Sequence, residues 1–216
     1  MMNGNAITVF LADDHVMLRE GLAALVADDP EIKVVGQCGN GLEVLDQVRM
    51  LCPNVVVLDI TMPGLNGLDV CRELTRKIDG TAVLILTMHD DEQFVIRALE
   101  SGASGYLLKE AAAGQLKEAL RTVARGEIYL SPKISPEVLR PLAHRKPDPY
   151  DSLTTRERQV LQMVTEGKTS RQIAADLDVA VKTVDSHRCN LMRKLDIHDQ
   201  KALLKYALRR GIVGLH

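Results

Sequence analysis

Between about residues 7 and 125, five short apolar runs alternate with five segments that have the apolar spacing of amphipathic helices. The run Val55-Val56-Val57-Leu58 is apolar throughout, which is typical of a strand buried on both faces of a sheet. Short connections between the segments favour a parallel sheet with helices on both faces. The alternation therefore predicts a doubly wound α/β fold around five parallel strands.

The pattern changes after residue 130. Five of the eight prolines fall between Ser131 and Asp151, and proline removes backbone donors and restricts its neighbours. We expect a first domain over residues 1–130, a linker over 131–151 with one short helix near 137–142, and an all-α domain over 152–216. The predicted helices of that last domain lie near 154–165, 169–177, 180–195 and 199–210.

Charge is divided unevenly between these two parts. Residues 150–216 hold 12 basic and 8 acidic side chains, a net charge of +4, whereas residues 1–149 carry −6. A basic domain beside an acidic one predicts nucleic acid as the partner of the former and a cation, such as a metal ion, near the latter.

The four cysteines show neither Cys-x-x-Cys spacing nor a cysteine–histidine ligand pattern, so we expect reduced thiols rather than disulfides or zinc ligands. No stretch approaches about 18 uninterrupted apolar residues, and the N-terminus lacks the features of a signal peptide. These observations favour a cytoplasmic protein that does not associate with a membrane.

Polar side chains follow four of the predicted strands. Asp13 and Asp14 come after the first strand, Asp59 after the third, Thr87 after the fourth and Lys109 after the fifth. The carboxyl ends of parallel strands meet at one edge of a sheet, where such folds bind ligands. Each residue alone has an ordinary alternative: acidic residues favour helix N-termini, and a strand-end lysine is usually solvated. Their shared position predicts a common crevice.

The residue types in that crevice suit phosphoryl chemistry. Clustered carboxylates repel one another unless a cation neutralises them, and Mg²⁺ prefers a few carboxylates together with water and phosphate oxygens. A carboxylate beside such an ion can attack phosphorus and form an acyl phosphate. Lys109 supplies a positive charge for a phosphoryl oxygen, and the Thr87 hydroxyl can donate to another.

The last domain has the spacing of a helix-turn-helix. Thr154 and Glu157 form a capping box at its start, and the turn 178–180 separates a short helix from a longer one. On a helical wheel Val184, Leu191 and Leu195 face the core. The opposite face and its flanks supply candidate DNA contacts: Lys182, Thr183, Asp185, Ser186, Cys189, Asn190, Arg193 and, as a lateral phosphate contact, Lys194. A merely solvated helix face is the alternative.

Residues about 6–127 resemble the receiver domain of two-component response regulators through the motifs Leu11-Ala12-Asp13-Asp14-His15, Leu58-Asp59-Ile60-Thr61-Met62-Pro63-Gly64, Leu86-Thr87-Met88 and Tyr106-Leu107-Leu108-Lys109. The resemblance implies a flavodoxin-like fold for this domain and implies that Asp59 is the phosphoacceptor. It also implies that Asp14, Asp59 and the Thr61 carbonyl hold Mg²⁺, with Asp13 reaching the ion mostly through water. Thr87 and Lys109 would contact the phosphoryl group, and Tyr106 would swing inward with Thr87.

Residues 152–216 resemble the LuxR-type helix-turn-helix domain through Leu153-Thr154-x-Arg156-Glu157, Gly167, Ile173-Ala174-x-x-Leu177, Thr183-Val184-x-x-His187 and Lys194-Leu195. Together the two matches resemble a NarL/FixJ-type response regulator. Asp185 departs from the basic residue that some members carry there. The final helix, with Ala202, Leu203 and Tyr206 at helical spacing, resembles the family's dimerisation helix, although it could simply close its own domain's core.

The expected function is therefore a phosphorylation-controlled transcription factor, not an enzyme. Its partners would be a histidine kinase as phosphodonor, double-stranded DNA, and a second copy of the chain after phosphorylation. Two alternatives remain. A Mg²⁺-dependent phosphohydrolase could use Asp59 as nucleophile, although such enzymes often carry a second Asp where this chain has Thr61. A DNA-binding protein that is independent of phosphorylation could use the first domain for dimerisation alone.

Overall fold

A computed structural model describes residues 6–135 and 148–213. Its first part alternates strands and helices as the sequence predicts. The elements are β1 (Ile7–Ala12), α1 (Val16–Ala27), β2 (Ile32–Cys38), α2 (Gly41–Leu51), β3 (Val55–Asp59), α3 (Gly67–Lys77), β4 (Ala82–Thr87), α4 (Glu92–Glu100), β5 (Gly105–Leu108), α5 (Ala112–Ala124) and β6 (Tyr129–Leu130).

The strands form one parallel sheet in the order β2-β1-β3-β4-β5-β6. The predicted five-stranded core is confirmed, and the structure adds β6 as a two-residue edge strand beside β5. So short a strand has no periodicity for sequence analysis to detect. β3 lies between β1 and β4, so Asp59 ends a central strand.

Side chains of successive strand residues enter two apolar layers. Val56, Leu58 and Ile85 lie in the layer covered by α2, α3 and α4. Val57 and Leu84 lie in the layer covered by α1 and α5. Every residue of β3 is buried, because strand side chains alternate between faces and both faces are covered.

The start of α3 fixes the backbone around Asp59. The Gly67 amide donates to the Ile60 carbonyl at 2.8 Å, and a Cβ at Gly67 would overlap the Asp59 carbonyl. Only glycine allows so close an approach between a helix start and a strand end. The loop from Asp59 to Gly67 is consequently held against the sheet.

The remaining described residues form a helical unit. It contains a short 3-10 segment (Pro149–Ser152) and the helices α6 (Thr155–Thr165), α7 (Ser170–Asp176), α8 (Val181–Leu195) and α9 (Gln200–Arg210). The predicted capping box of Thr154 and Glu157 is confirmed, and a second one opens α7. Val184, Leu191 and Leu195 lie in the core, as the helical wheel predicts.

Two sequence predictions fall partly outside this description. The short helix expected near 137–142 lies outside the described residues, and the domain limits at 130 and 152 stay predictions. Tyr150, near the end of the predicted linker, is buried in the core of the helical unit. Within residues 6–135 and 148–213, no helix has the length and apolar content that a bilayer span needs.

The close approach at Gly67 predicts a large effect of one methyl group. Gly67→Ala should lower the free energy of unfolding by about 3 kcal/mol, because the backbone on both sides must move. Gly21→Ala, in the exposed middle of α1 where a Cβ meets nothing within 4 Å, should raise it by about 0.5–1 kcal/mol. Urea unfolding followed by circular dichroism measures both. Equal stability of the two variants would show that α3 does not need this glycine.

Candidate phosphoryl site and DNA-binding helix

The strand-end residues meet in one crevice, as predicted. The Lys109 ammonium lies 2.8 Å from Asp13 Oδ2 and 2.9 Å from Asp59 Oδ2, which joins the ends of β1, β3 and β5. Asp13 and Asp59 are almost fully buried, and Asp14 is partly exposed. Thr87 ends β4 and is also buried.

The acidic part of the crevice has the donor atoms of a metal site. One possible ligand atom from each of Asp13, Asp14, His15 and Asp59 lies within 4.8 Å of the other three. Three carboxylates face one ammonium group, so the crevice keeps an excess of negative charge. A hard divalent cation such as Mg²⁺ fits that oxygen-rich set. His15, whose ring lies 2.8 Å from Asp14, was not predicted at the metal site.

Burial changes the acid–base properties of the central pair. Removal from water raises the pKa of Asp59 to about 6, and the nearby Asp13 adds to that effect while Lys109 opposes it. For Lys109, burial favours the neutral amine, but the attraction of Asp59 and Asp13 outweighs burial and raises the pKa. Lys109 therefore remains an ammonium group at neutral pH.

Tyr106 lies on β5 beside the crevice and is fully buried. Its hydroxyl donates to the His89 carbonyl at 2.8 Å, and the His89 amide donates to Thr87 Oγ1 at 3.2 Å. The structure thus places Tyr106 already inside, and the inward swing that the resemblance implies stays a prediction. Sequence analysis did not indicate that His89 lies between Thr87 and Tyr106.

Most of the predicted DNA contacts lie on the open face of α8. Lys182, Thr183, Asp185, Ser186, Cys189 and Arg193 are exposed, and Asn190 is partly exposed. Asp185 accepts from Ser170 on α7 at 2.8 Å. Lys194 differs from this group, since its ammonium lies 2.7 Å from Glu157 and 3.0 Å from the Ser152 carbonyl. Those contacts tie α8 to α6 and occupy the ammonium group of Lys194.

The predicted dimerisation residues on α9 also differ from one another in their burial. Leu203 is fully buried in the core of the helical unit, which is the alternative considered from the sequence. Tyr206 packs against that core and Ala202 is partly exposed. Leu203 therefore holds α9 in its own domain, and a contact of Leu203 with a second chain would require that core to open.

Two family models match this chain. Residues 9–121 match the response regulator receiver domain, and residues 151–207 match the luxR family of bacterial regulatory proteins. The chain is 35% identical to the transcriptional regulatory protein LiaR of Bacillus subtilis, over 96% of this chain and all of LiaR. It is 34% identical to DegU of Brevibacillus brevis, over 98% of this chain and 97% of DegU.

This chain belongs to the NarL/FixJ-type response regulators. The response regulator also resembles solved structures along most of its length. RcsB of Salmonella typhimurium is 25% identical with a TM-score of 0.57, covering 94% of this chain and 98% of RcsB. The response regulator ChrA of a haem-sensing two-component system is 31% identical with a TM-score of 0.52, covering 96% and 99%.

The two domains of this response regulator meet through buried charges that the sequence analysis missed. The Asp69 carboxylate on α3 lies 3.2 Å from the Arg158 guanidinium on α6 and accepts from the Tyr150 hydroxyl. Thr155 donates to Glu73 at 2.7 Å across the same boundary. Burial raises the pKa of Asp69, against the attraction of Arg158. Polar helix residues of this kind give no sequence signal, since most such residues face water.

The α6 helix also holds the loop that follows the phosphoryl site. Gln162 Nε2 donates to the Met62 carbonyl at 2.5 Å, and the Gly64 amide donates to Glu166 at 3.0 Å. Beside this contact lies a cavity of about 510 Å³ between the domains. Asp14 and Thr61 line one wall of the cavity, and Leu204 and Leu208 of α9 line another.

The raised pKa of Asp59 predicts a pH-dependent gain in stability for Asp59→Asn without metal. The folded protein holds the carboxyl proton more tightly than the unfolded chain, whose pKa is near 3.8. Stability of the wild type should therefore fall as pH rises from 3.8 through about 6. The variant, which cannot ionise, should be more stable by up to about 3 kcal/mol above that range and by little below it.

Thermal unfolding in EDTA, followed by circular dichroism between pH 4 and pH 8, measures this difference. Asp46→Asn provides the control, because Asp46 on α2 has an 80% exposed side chain and should unfold like the wild type at every pH. A constant difference between Asp59→Asn and the wild type across the range would contradict the prediction.

Proposed function

We propose that Asp59 accepts a phosphoryl group from a histidine kinase and that the resulting aspartyl phosphate controls DNA binding by the helical domain. The observation that carries this proposal is the contact of Lys109 with both Asp13 and Asp59 at the sheet edge. It brings a nucleophilic carboxylate, its acidic neighbours and a cation for a phosphoryl oxygen into one crevice. The family supports the same assignment.

In the proposed transfer, an Asp59 oxygen attacks the phosphorus of phosphohistidine. An O–P bond forms while the P–N bond breaks, and its electron pair goes to the imidazole nitrogen. Asp13, Asp14, Asp59 and the Thr61 carbonyl would hold Mg²⁺, which supplies charge neutralisation for the transferred group when bound. Lys109 would then pair with a phosphoryl oxygen, and Thr87 would donate to another.

A phosphohydrolase would use the same nucleophile but needs a group that activates water for release. Two residues after Asp59 the chain has Thr61. Its hydroxyl is too weak a base to activate water at neutral pH. The relatives are named as transcriptional regulators. These observations favour a regulator over an enzyme that turns over phosphate esters. The cytoplasmic location expected from the sequence stays a prediction.

For DNA binding we propose that α8 enters the major groove with its exposed face. Lys182, Ser186 and Arg193 lie on that face and are exposed. One such module makes few contacts, so pairing two of them on adjacent half-sites would raise affinity through effective concentration. A structure of RcsB bound to DNA is among the similar structures, which supports a duplex as the partner. Homodimerisation after phosphorylation is part of this proposal.

Incorporation of phosphate tests the acceptor. Wild-type protein treated with acetyl phosphate and Mg²⁺ should gain one phosphoryl group per chain, and Asp59→Asn should gain none, because the amide is not a nucleophile. Intact-mass spectrometry measures the added group. Asp46→Asn, which removes an exposed carboxylate, should label like the wild type. Equal labelling of Asp59→Asn and the wild type would exclude Asp59 as the acceptor.

Salt dependence tests the proposed DNA face. Lys182→Ala should weaken binding to every duplex and should lower the slope of log K against log salt by about 1, since one phosphate contact is lost. Lys205→Ala removes an exposed lysine on α9 of the same domain and should leave the slope unchanged. Fluorescence anisotropy with labelled duplex DNA measures both. Identical slopes for Lys182→Ala and the wild type would show that Lys182 makes no phosphate contact and that DNA binds to another surface.

A further inference from the structure

The cavity between the receiver and the helical domain has the size of a small-molecule site. Its volume of about 510 Å³ lies within the range of about 300–1,000 Å³ that is typical of ligand pockets. Residues from the end of β1, the loop after β3, α6, and the stretch from α9 to Val213 line it. Both domains therefore contribute to the cavity, which has this shape only while they are in contact.

Much of the lining is apolar. Six apolar side chains border the cavity: Met62, Pro63, Leu204, Leu208, Ile212 and Val213. Leu204 is 41% exposed, so α9 presents accessible hydrocarbon surface there. Transfer of such surface out of water is favourable, and an apolar group that entered the cavity would be stabilised by it.

The polar side chains of α6 in this lining offer acceptors rather than donors. Gln162 Nε2 donates to the Met62 carbonyl and to Glu166 Oε1, so both of its amide hydrogens are engaged. The Thr165 hydroxyl donates within α6. Gln162 is only 1% exposed, and its Oε1 accepts no hydrogen bond from the residues that the structure describes. A buried acceptor of this kind is satisfied by a donor from a ligand.

The charges of the cavity point to a positively charged ligand. Asp14 and Glu166 line it, and none of the described residues that line it is basic. The nearest cation to Glu166 is Lys168, whose ammonium lies 3.7 Å from Oε2. Glu166 Oε1 accepts only from the Gly64 amide and Gln162 Nε2, which are neutral donors. An ammonium group is therefore attracted to this wall, and a carboxylate is repelled.

We propose that the cavity binds an amphipathic organic cation, a primary amine on a compact apolar body. Its ammonium group would donate to Gln162 Oε1 and to the Glu166 carboxylate, and its apolar body would lie against Leu204 and Leu208. A primary ammonium offers three donors and no acceptor, which matches the acceptors of α6. This inference does not depend on phosphorylation of Asp59, because neither anchor belongs to the acidic cluster at the sheet edge.

Binding at this position has a thermodynamic consequence for the whole chain. The ligand would touch residues of both domains, so it would bind their associated arrangement in preference to a separated or unfolded one. Any ligand with that preference raises the apparent stability by mass action. Saturating amine should therefore raise the midpoint of thermal unfolding of the full chain.

Three compounds of one shape test the chemical class: 4-phenylbutylamine, 4-phenylbutanol and 4-phenylbutyrate. Isothermal titration calorimetry on the full chain in EDTA should show one site for the amine, with a Kd of about 0.1–1 mM, as expected for a ligand of this size. The alcohol should bind about tenfold more weakly, because its hydrogen bonds are not charge-assisted. The carboxylate should give no binding at the same concentrations.

Filling the cavity tests the location. Leu204→Trp places a larger ring in the lining and should abolish binding of 4-phenylbutylamine. Lys205→Trp is the matched control, because Lys205 is the exposed neighbour on α9 that does not border the cavity, and this variant should bind like the wild type. The partial exposure of Leu204 leaves room for the ring outside the core. Circular dichroism checks that both variants fold.

Replacing one anchor tests the role of the carboxylate. Glu166→Gln keeps the side-chain size and an oxygen that accepts from the Gly64 amide, but it removes the charge. It should weaken binding of the amine about tenfold and leave binding of the alcohol unchanged. Glu127→Gln removes a carboxylate with a 60% exposed side chain outside the cavity and should leave both affinities unchanged.

Four results would overturn these statements. A wild type that binds no amine and shows no shift in unfolding would refute the site. Equal affinity for the amine and the alcohol would show that the cavity does not select a cation. Amine binding by Leu204→Trp as strong as that by Lys205→Trp would place the site outside the cavity. Unchanged amine affinity in Glu166→Gln would exclude Glu166 as an anchor.

Discussion

One ammonium group between two buried carboxylates organises the receiver crevice. Lys109 reaches Asp13 and Asp59 at hydrogen-bonding distance, while Asp14 adds a third carboxylate nearby. Desolvation makes ionisation of Asp59 costly, and the Lys109 charge offsets only part of that cost. The crevice can therefore accommodate additional positive charge from a metal ion. In the proposed function, Lys109 would pair with a phosphoryl oxygen.

The loop after β3 contributes residues both to that crevice and to the domain interface. Thr61 lies beside the acidic cluster, and the next residues are held by Gln162 and Glu166 of α6. A buried ion pair between Asp69 and Arg158 reinforces the same boundary. Removing one partner of such a pair would leave an uncompensated buried charge, so the boundary between the domains depends on both residues. The interface covers parts of α6 and α9, while the side of α8 that we propose to bind DNA stays exposed.

Sequence analysis succeeded where one local pattern decided the outcome. The β3 run predicted a fully buried central strand, and Thr154 with Glu157 predicted the start of α6 to within one residue. It could not decide features that depend on neighbouring elements. β6 exists only because β5 offers it an edge, and Leu203 lies in a core whose extent depends on the packing of α6 and α8. Arg158 would face solvent on an isolated helix, but here it meets Asp69.

The sequence by itself determined the order of strands and helices, the meeting of Asp13, Asp59, Thr87 and Lys109 at one sheet edge, and the family. These follow from periodicity and from the rule that parallel strands end together. Only the tertiary structure decided that α6 forms hydrogen bonds with the loop after Asp59 and that Gly211 packs against Phe94. It also decided that His89 forms hydrogen bonds with both Thr87 and Tyr106. Such contacts join residues distant along the chain, and no local preference for helix or strand encodes which polar surfaces will meet.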